Sequence, residues 1–107
     1  MKRARRRREE YQQAFTEDDL LLVRFEHIGS TVVNFSVQYL GRINGDWHPI
    51  VRYDTAHGYA HLDISLPDGA QETRDLKAST YGDALVTAIE DIQARWEFYR
   101  ERYGEQK

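Results

Sequence analysis

The chain of 107 residues contains 40% hydrophobic residues, which suits one domain with a single core and is too short for two. It has no cysteine, so disulfides, thiolate metal sites and cysteine nucleophiles are excluded. No apolar run approaches the roughly 18 residues of a membrane span. Glu9, Glu10, Gln12 and Gln13 stand where a signal peptide would need apolar residues, so we expect a cytoplasmic protein with no membrane partner.

The net charge of −3 is unevenly distributed along the chain. Positions 9–107 hold nine basic residues and all 18 acidic ones, and the other basic residues crowd the N-terminus. Such an arm can bind nucleic-acid phosphates through counterion release, or an acidic protein surface. It can equally remain solvated or fold back on the body. The predicted nucleic-acid-binding residues of the arm are Lys2, Arg3, Arg5, Arg6, Arg7 and Arg8.

The segment that follows the basic run is compatible with a helix. Tyr11, Ala14 and Phe15 have the i, i+3, i+4 spacing of a small apolar stripe. We therefore predict a basic N-terminal arm or short helix over residues 1–15 and a single α+β domain over residues 16–107.

Alternation of apolar and polar residues with period two begins at Leu20 and predicts a first strand, followed by a second over residues 31–39. A loop of odd length keeps the apolar residues of both strands on one face. We expect that loop to be residues 28–30, which pairs Phe25 with Val33.

The third predicted strand, residues 47–54, follows the dipeptide Asn44-Gly45. That dipeptide is typical of a two-residue type I′ turn, but such a turn would mix apolar and polar residues on each face. A three-residue loop over residues 43–45, with a bulge at its glycine, restores the pattern and pairs Val37 with Val51.

The fourth predicted strand covers residues 59–66 and has two acceptable registers against the third. One sets His61 opposite Arg52. The other sets His61 opposite Asp54 and Asp63 opposite Arg52. Both registers place these four residues on the same face of the sheet.

The turn Pro67-Asp68-Gly69 precedes a short fifth strand over residues 70–76, and Ser79 or Thr80 can cap a helix over residues 79–103. We predict one α+β domain with a mainly antiparallel sheet of four to five meandering strands and the long C-terminal helix packed on one face. The helix faces the sheet with one apolar stripe: Tyr81, Leu85, Ala88, Ile89, Ile92, Trp96, Tyr99 and Tyr103.

The sheet face opposite the helix is predicted to be polar and to hold the candidate site. A cation, carboxylates and a histidine are the groups needed for acid–base work on a phosphodiester. Arg52 would hold the phosphate, His61 would transfer a proton, and Asp54 or Asp63 would orient the imidazole. The candidate catalytic residues are Arg52, Asp54, His57, His61 and Asp63, with Tyr59 as a base-stacking residue.

Two other interpretations of this face stay open. A solvated polar face with charged cross-strand pairs is ordinary in antiparallel sheets. The residues Asp54, His57, His61 and Asp63 also include metal donors, but two histidines at i, i+4 on a strand lie well over 10 Å apart. We therefore predict no metal and no cofactor.

One stretch resembles a known group of proteins. The residues are Arg52-Tyr53-Asp54-x-x-His57-Gly58-x-x-His61, followed by the helix Ala88-Ile89-Glu90-Asp91-Ile92-x-x-x-Trp96-x-x-Tyr99. Over roughly residues 20–103 the chain is similar to small prokaryotic proteins of unknown function and, distantly, to TumE-type toxins of toxin–antitoxin pairs. The resemblance implies a toxin acting on RNA, with an antitoxin as its protein partner.

The leading hypothesis is therefore an RNA-directed factor, a metal-independent ribonuclease toxin. The alternative is a non-catalytic nucleic-acid-binding or protein-interaction adaptor that binds through its basic arm. An off-stripe Phe98, the amphipathic N-terminal segment and an open sheet edge predict a homodimer or heteromer.

Overall fold

The computed structural model describes residues 5–104. Six strands form one antiparallel sheet in which each strand pairs with the next along the chain, so the predicted α+β meander is confirmed with six strands where four to five were expected. The elements are β1 Arg6–Thr16, β2 Asp19–Ile28, β3 Thr31–Ile43, β4 Asp46–Asp54, β5 His61–Ser65, β6 Gln71–Asp75 and α1 Tyr81–Gly104, with a 3₁₀ turn Ala56–Gly58 before β5.

The N-terminal segment is a strand over Arg6–Thr16, so the helical form of the predicted arm or short helix is wrong over these residues. β1 pairs with β2 from Arg6 opposite Ile28 to Thr16 opposite Asp19. Three apolar residues give a helix little burial, whereas the strand satisfies the backbone of β2 and stacks Phe15 on Trp96 of α1 at a ring distance of 5.2 Å. Lys2 and Arg3 lie outside the described residues.

The β2–β3 hairpin has a shorter loop than predicted. Ile28 lies opposite Thr31, so the turn contains two residues rather than three. A bulge beside Glu26 adds Val33 to β3, and Phe25 therefore pairs with Phe35 rather than with Val33.

The β3–β4 hairpin differs from the prediction in the same way. Asn44 and Gly45 form a two-residue turn with φ of 54° and 86°, the left-handed values that a type I′ turn requires. A bulge next to Tyr39 then shifts the register, so Val37 pairs with Tyr53 rather than with Val51. The bulge turns two consecutive residues of β4 into the core, where Ile50 is 1% and Val51 0% exposed.

Helix α1 lies on one face of the sheet, chiefly over β3, β4 and β2. The predicted stripe is confirmed, because all of its residues are buried or pack against the core. The largest of the fully buried side chains are Tyr39, Leu21, Ile50, Ile92, Val23, Val37 and Val51. Within the described range, no helix is both long enough and apolar enough to cross a membrane.

A polar junction joins the end of α1 to the β1–β2 turn. The carboxylate of Asp19, which is 4% exposed, accepts hydrogen bonds from Tyr39 at 2.5 Å, Thr16 at 2.5 Å and Arg100 at 2.6 Å. Burial alone would raise the pKa of Asp19, but these hydrogen bonds and the charge of Arg100 outweigh it and lower the pKa. Arg100 also donates to the carbonyl of Arg42 at 3.0 Å, which fixes the helix against β3.

Gly41 occupies the closest approach within this junction. A methyl group there would lie 2.7 Å from Cδ1 of Ile50 and 3.2 Å from the side chains of Arg100 and Tyr39. We expect Gly41→Ala to lower the free energy of unfolding in urea by about 1–3 kcal/mol through overpacking. Gly82→Ala in α1, where the nearest atom is 3.7 Å away, is the control and should raise it by up to about 1 kcal/mol. Equal effects of the two substitutions would contradict this packing.

Asp19 makes stability depend on pH. Because its folded pKa is lowered, its contribution is present above the ordinary pKa of 3.8 and is lost as the pH falls through the folded pKa. At neutral pH, Asp19→Asn should lower the free energy of unfolding by about 1.5–3 kcal/mol, the range for hydrogen bonds to a charged group. Below the ordinary pKa the gap between wild type and variant should shrink. A gap in urea denaturation that stays constant with pH would contradict this role, and Asp46→Asn on the exposed surface is the control.

Candidate functional site on the open sheet face

The face of the sheet opposite α1 contains an open groove of about 580 Å³ across β1 to β4. Its cations and carboxylates are paired, with Arg24 2.7 Å from Glu10 on the neighbouring strand and Arg52 2.7 Å from Asp54 two residues further along β4. The groove is lined by Arg8, Glu10, Arg24, Phe25, Glu26, Asn34, Phe35, Ser36, Arg52, Asp54, Thr55 and Ala56.

The chain reverses between β4 and β5 through a hydrogen-bonded corner. The hydroxyl of Thr55 accepts the N–H of Phe35 at 3.0 Å, and the N–H of Thr55 donates to the carbonyl of Phe35 at 3.2 Å. The carboxylate of Asp54 accepts the N–H of Ala56 at 3.1 Å, which is the local hydrogen bond that aspartate favours at turns. These contacts fix Asp54 at the end of β4 and start the 3₁₀ turn.

The register between β4 and β5 is the second of the two predicted alternatives. Asp54 lies opposite His61, and Arg52 lies opposite Asp63. Directly opposite residues in an antiparallel pair project from the same face with their side chains in contact. The register alone therefore assembles two facing pairs into one cluster of four ionisable side chains.

His61 is the centre of this cluster. Its Nε2 lies 3.0 Å from Oδ1 of Asp54 and 3.6 Å from Oδ2 of Asp63. The side chains of His61 and Asp54 are only 7% and 9% exposed, whereas Arg52 is 50% exposed. A nearly buried imidazole between two carboxylates thus lies behind a guanidinium that can reach a ligand in the groove.

Neighbouring groups orient the cluster from outside. The hydroxyl of Thr73 on β6 donates to Oδ1 of Asp63 at 2.8 Å. The carbonyl oxygen of Tyr59 lies 3.4 Å from Nδ1 of His61. The ring of Tyr59 lies 5.3 Å from the imidazole and the residue is 48% exposed, so an aromatic surface borders the cluster.

Of the five predicted catalytic residues, the structure brings four together: Arg52, Asp54, His61 and Asp63. The backbone of His57 lies in the 3₁₀ turn next to them. Sequence reasoning missed Thr73, although its place in the predicted fifth strand was the available signal, since period two puts it on the face of Asp63.

The arginine run is split between the two faces of the sheet. Arg6 lies 3.1 Å from Glu26 on the groove side, and the hydrogen bond from Asn34 together with the charges of Arg6 and Arg8 lowers the pKa of Glu26. Arg7 lies opposite His27 on the other side. The described part of the arm is therefore an edge strand with one row of cations along the groove.

These features define a small α+β protein: one helix covers one face of an antiparallel meander, and the other face holds a compact ionisable cluster beside an open groove. The family model described as Domain of unknown function (DUF7718) matches residues 5–107. The chain belongs to this family. Comparison with the curated proteins and with the solved structures gave no match.

Proposed function

We propose that this protein is an RNA-directed factor, a ribonuclease toxin whose open sheet face binds the RNA backbone and whose ionisable cluster cleaves it. The observation that supports the proposal best is the contiguous set Arg52, Asp54 and His61, joined by contacts of 2.7 and 3.0 Å, at the end of the groove. The resemblance to TumE-type toxins points to the same substrate.

Cleavage of RNA needs a base for the 2′-hydroxyl, a cation for the phosphate and an acid for the departing oxygen. In the proposed reaction Arg52 contacts the phosphate. Asp54, which borders the groove, takes the 2′ proton and shares it with His61 behind it. The 2′ oxygen bonds to phosphorus as the bond to the 5′ oxygen breaks, and the pair returns the proton to that oxygen. The products are a 2′,3′-cyclic phosphate and a 5′-hydroxyl, and no metal is required.

A non-catalytic adaptor is the second candidate, favoured by the internal pairing of the charges. Arg24, Arg52 and Arg6 each lie within 3.1 Å of a carboxylate, and the pairs of Arg24 and Arg6 cross strands, as expected of a face that is merely stabilised by its own ion pairs. Such a protein would bind nucleic acid by charge alone and leave it intact.

The exposed edge of β1 is the surface we propose for a protein partner, either a second copy or an antitoxin. All residues of β1 except Phe15 are exposed, and an unpaired strand edge can accept another strand. Antiparallel pairing of two copies about Arg8 sets Arg6 opposite Glu10 and Arg7 opposite Glu9 of the second copy. This charge complementarity favours the homodimer.

The ribonuclease proposal predicts that the purified protein cleaves single-stranded RNA in the presence of EDTA. Arg52→Gln, Asp54→Asn and His61→Gln should each lower the rate on the order of 10²–10⁴-fold, the usual contribution of a positioned acid or base. Mass spectrometry of the products should find the cyclic phosphate, and a substrate that lacks the attacking 2′-hydroxyl should stay intact. Asp46→Asn, an exposed carboxylate elsewhere, should change nothing.

The same preparations separate the two candidate functions. If the folded wild-type protein binds RNA but leaves it intact, the adaptor function is correct and the ribonuclease proposal fails. Deleting the arm would remove part of β1 and disturb the sheet, so the single substitutions Arg8→Gln and Arg24→Gln test binding more specifically. Each substitution that removes a phosphate contact should reduce the slope of log affinity against log salt by about one unit.

The edge-pairing proposal predicts a dimer at micromolar concentration by light scattering. Arg6→Glu with Arg7→Glu should dissociate it, because the substituted residues would face carboxylates across the edge. Adding Glu9→Arg and Glu10→Arg should restore the dimer by reversing both sides of each pair. Arg95→Glu on α1 is the control for the added charge. A monomeric wild type would contradict homodimerisation through β1.

A further inference from the structure

We infer that Asp54, His61 and Asp63 form a binding site for a divalent first-row transition-metal ion, of which Zn²⁺ and Co²⁺ are the best probes. One donor atom from each residue lies within 4.8 Å of the other two. The sequence predicts no metal, because two histidines four residues apart on a strand cannot meet. The structure assembles the donors differently, by placing a residue of β4 directly opposite the histidine of β5.

The spacing of the donors suits coordination of one ion. Zinc bonds to imidazole nitrogen and carboxylate oxygen are about 2.0–2.2 Å long, so two ligands at a tetrahedral or octahedral angle lie about 3.0–3.5 Å apart. Of the two distances from Nε2 of His61, 3.0 Å to Asp54 falls in this range and 3.6 Å to Asp63 lies just beyond it. Three protein ligands on one side of the ion leave at least one position for water or a ligand from solution.

The surrounding hydrogen bonds orient the donor atoms toward one another. The hydroxyl of Thr73 binds Oδ1 of Asp63, and the atom that faces the histidine is Oδ2. The carbonyl of Tyr59 beside Nδ1 of His61 can accept a proton held on Nδ1, so a metal ion that displaces the proton between Nε2 and Asp54 would meet the lone pair of Nε2. Partners of this kind orient metal ligands in known sites.

Charge and burial select the class of ion. Two carboxylates and one neutral imidazole, offset by the single guanidinium of Arg52, leave negative charge in a cluster that is 7–19% exposed at its ligands. Mg²⁺ and Ca²⁺ prefer oxygen ligands alone, whereas an imidazole among the donors favours Zn²⁺, Co²⁺ and their neighbours in the row.

Metal binding would regulate the cluster that we propose for RNA cleavage. The ion would occupy Nε2 of His61 and Oδ1 of Asp54, which are the two atoms that share the proton in the metal-free reaction. Zn²⁺ is therefore expected to inhibit cleavage, and EDTA to restore it. This consequence rests on the proposed function, whereas the site itself does not.

The test is titration of untagged, EDTA-dialysed full-length protein with Zn²⁺ by calorimetry and with Co²⁺ by visible absorption. We expect one equivalent to bind, and Co²⁺ to show the absorption bands of a nitrogen and oxygen site. His61→Gln and Asp63→Asn should abolish this binding, and Thr73→Val should weaken it about 10–100-fold through the misplaced carboxylate. His48→Gln and Asp46→Asn, which alter the same residue types elsewhere, should bind like wild type.

Asp63→Asn keeps the test decisive if His61→Gln fails to fold, because Asp63 is the most exposed of the three ligands. No saturable binding by folded wild type, or unchanged binding by folded Asp63→Asn, would overturn the site. Binding of Zn²⁺ by a protein that leaves RNA intact would sustain the metal site and refute the ribonuclease. Cleavage of RNA in EDTA by a protein that binds no Zn²⁺ would sustain the ribonuclease and refute the metal site.

Discussion

The single helix on a six-stranded sheet is the constraint on which the rest of this structure depends. Helix α1 covers the apolar face over β2, β3 and β4, so the core residues of these strands, among them Leu21, Val37 and Val51, project to that side. Polar side chains on the other face have no layer of protein above them and find their partners within the sheet, on a neighbouring strand or two residues along the same one. The ion pairs of Arg24 with Glu10 and Arg52 with Asp54 follow from this arrangement. The candidate site is thus built on rigid strands, which hold side chains more firmly than loops do.

The face without a helix nevertheless contains two nearly buried ionisable residues. The corner at Thr55 and the 3₁₀ turn fold the chain around Asp54, and His61 lies between the carboxylates of Asp54 and Asp63 with the ring of Tyr59 beside it. Burial of a charge is costly unless it is paired and hydrogen-bonded, and each of these side chains has such partners. The opposite face shows the same logic at Asp19, where three donors stabilise a buried carboxylate and bind the helix to the sheet.

The sequence predicted the elements much better than the way they pair. Alternation located the strands from Leu20 onward, and the apolar stripe located α1, because these periodicities reflect burial of one face. The predicted registers of the β2–β3 and β3–β4 hairpins were wrong. An odd number of loop residues was expected to keep the apolar side chains of both strands on one face, but both loops contain two residues. The protein corrects the faces within the strands, by bulges that add Val33 and Ile50. A bulge has no reliable signature in one sequence. Whether residues 6–16 form a helix or a strand depends on pairing with β2, which local sequence does not show.

The sequence predicted which residues form the site, but the chemistry of the site depends on the register between β4 and β5. With His61 opposite Arg52, the imidazole and guanidinium would repel each other when both are charged. With His61 opposite Asp54, as found, Nε2 faces carboxylate oxygens at 3.0 and 3.6 Å. That atom can share a proton with Asp54 or give its lone pair to a metal ion, and it cannot do both at once. The same contact that allows an acid–base pair therefore makes a cation its direct competitor, so proton and metal occupancy of this cluster must be linked through His61.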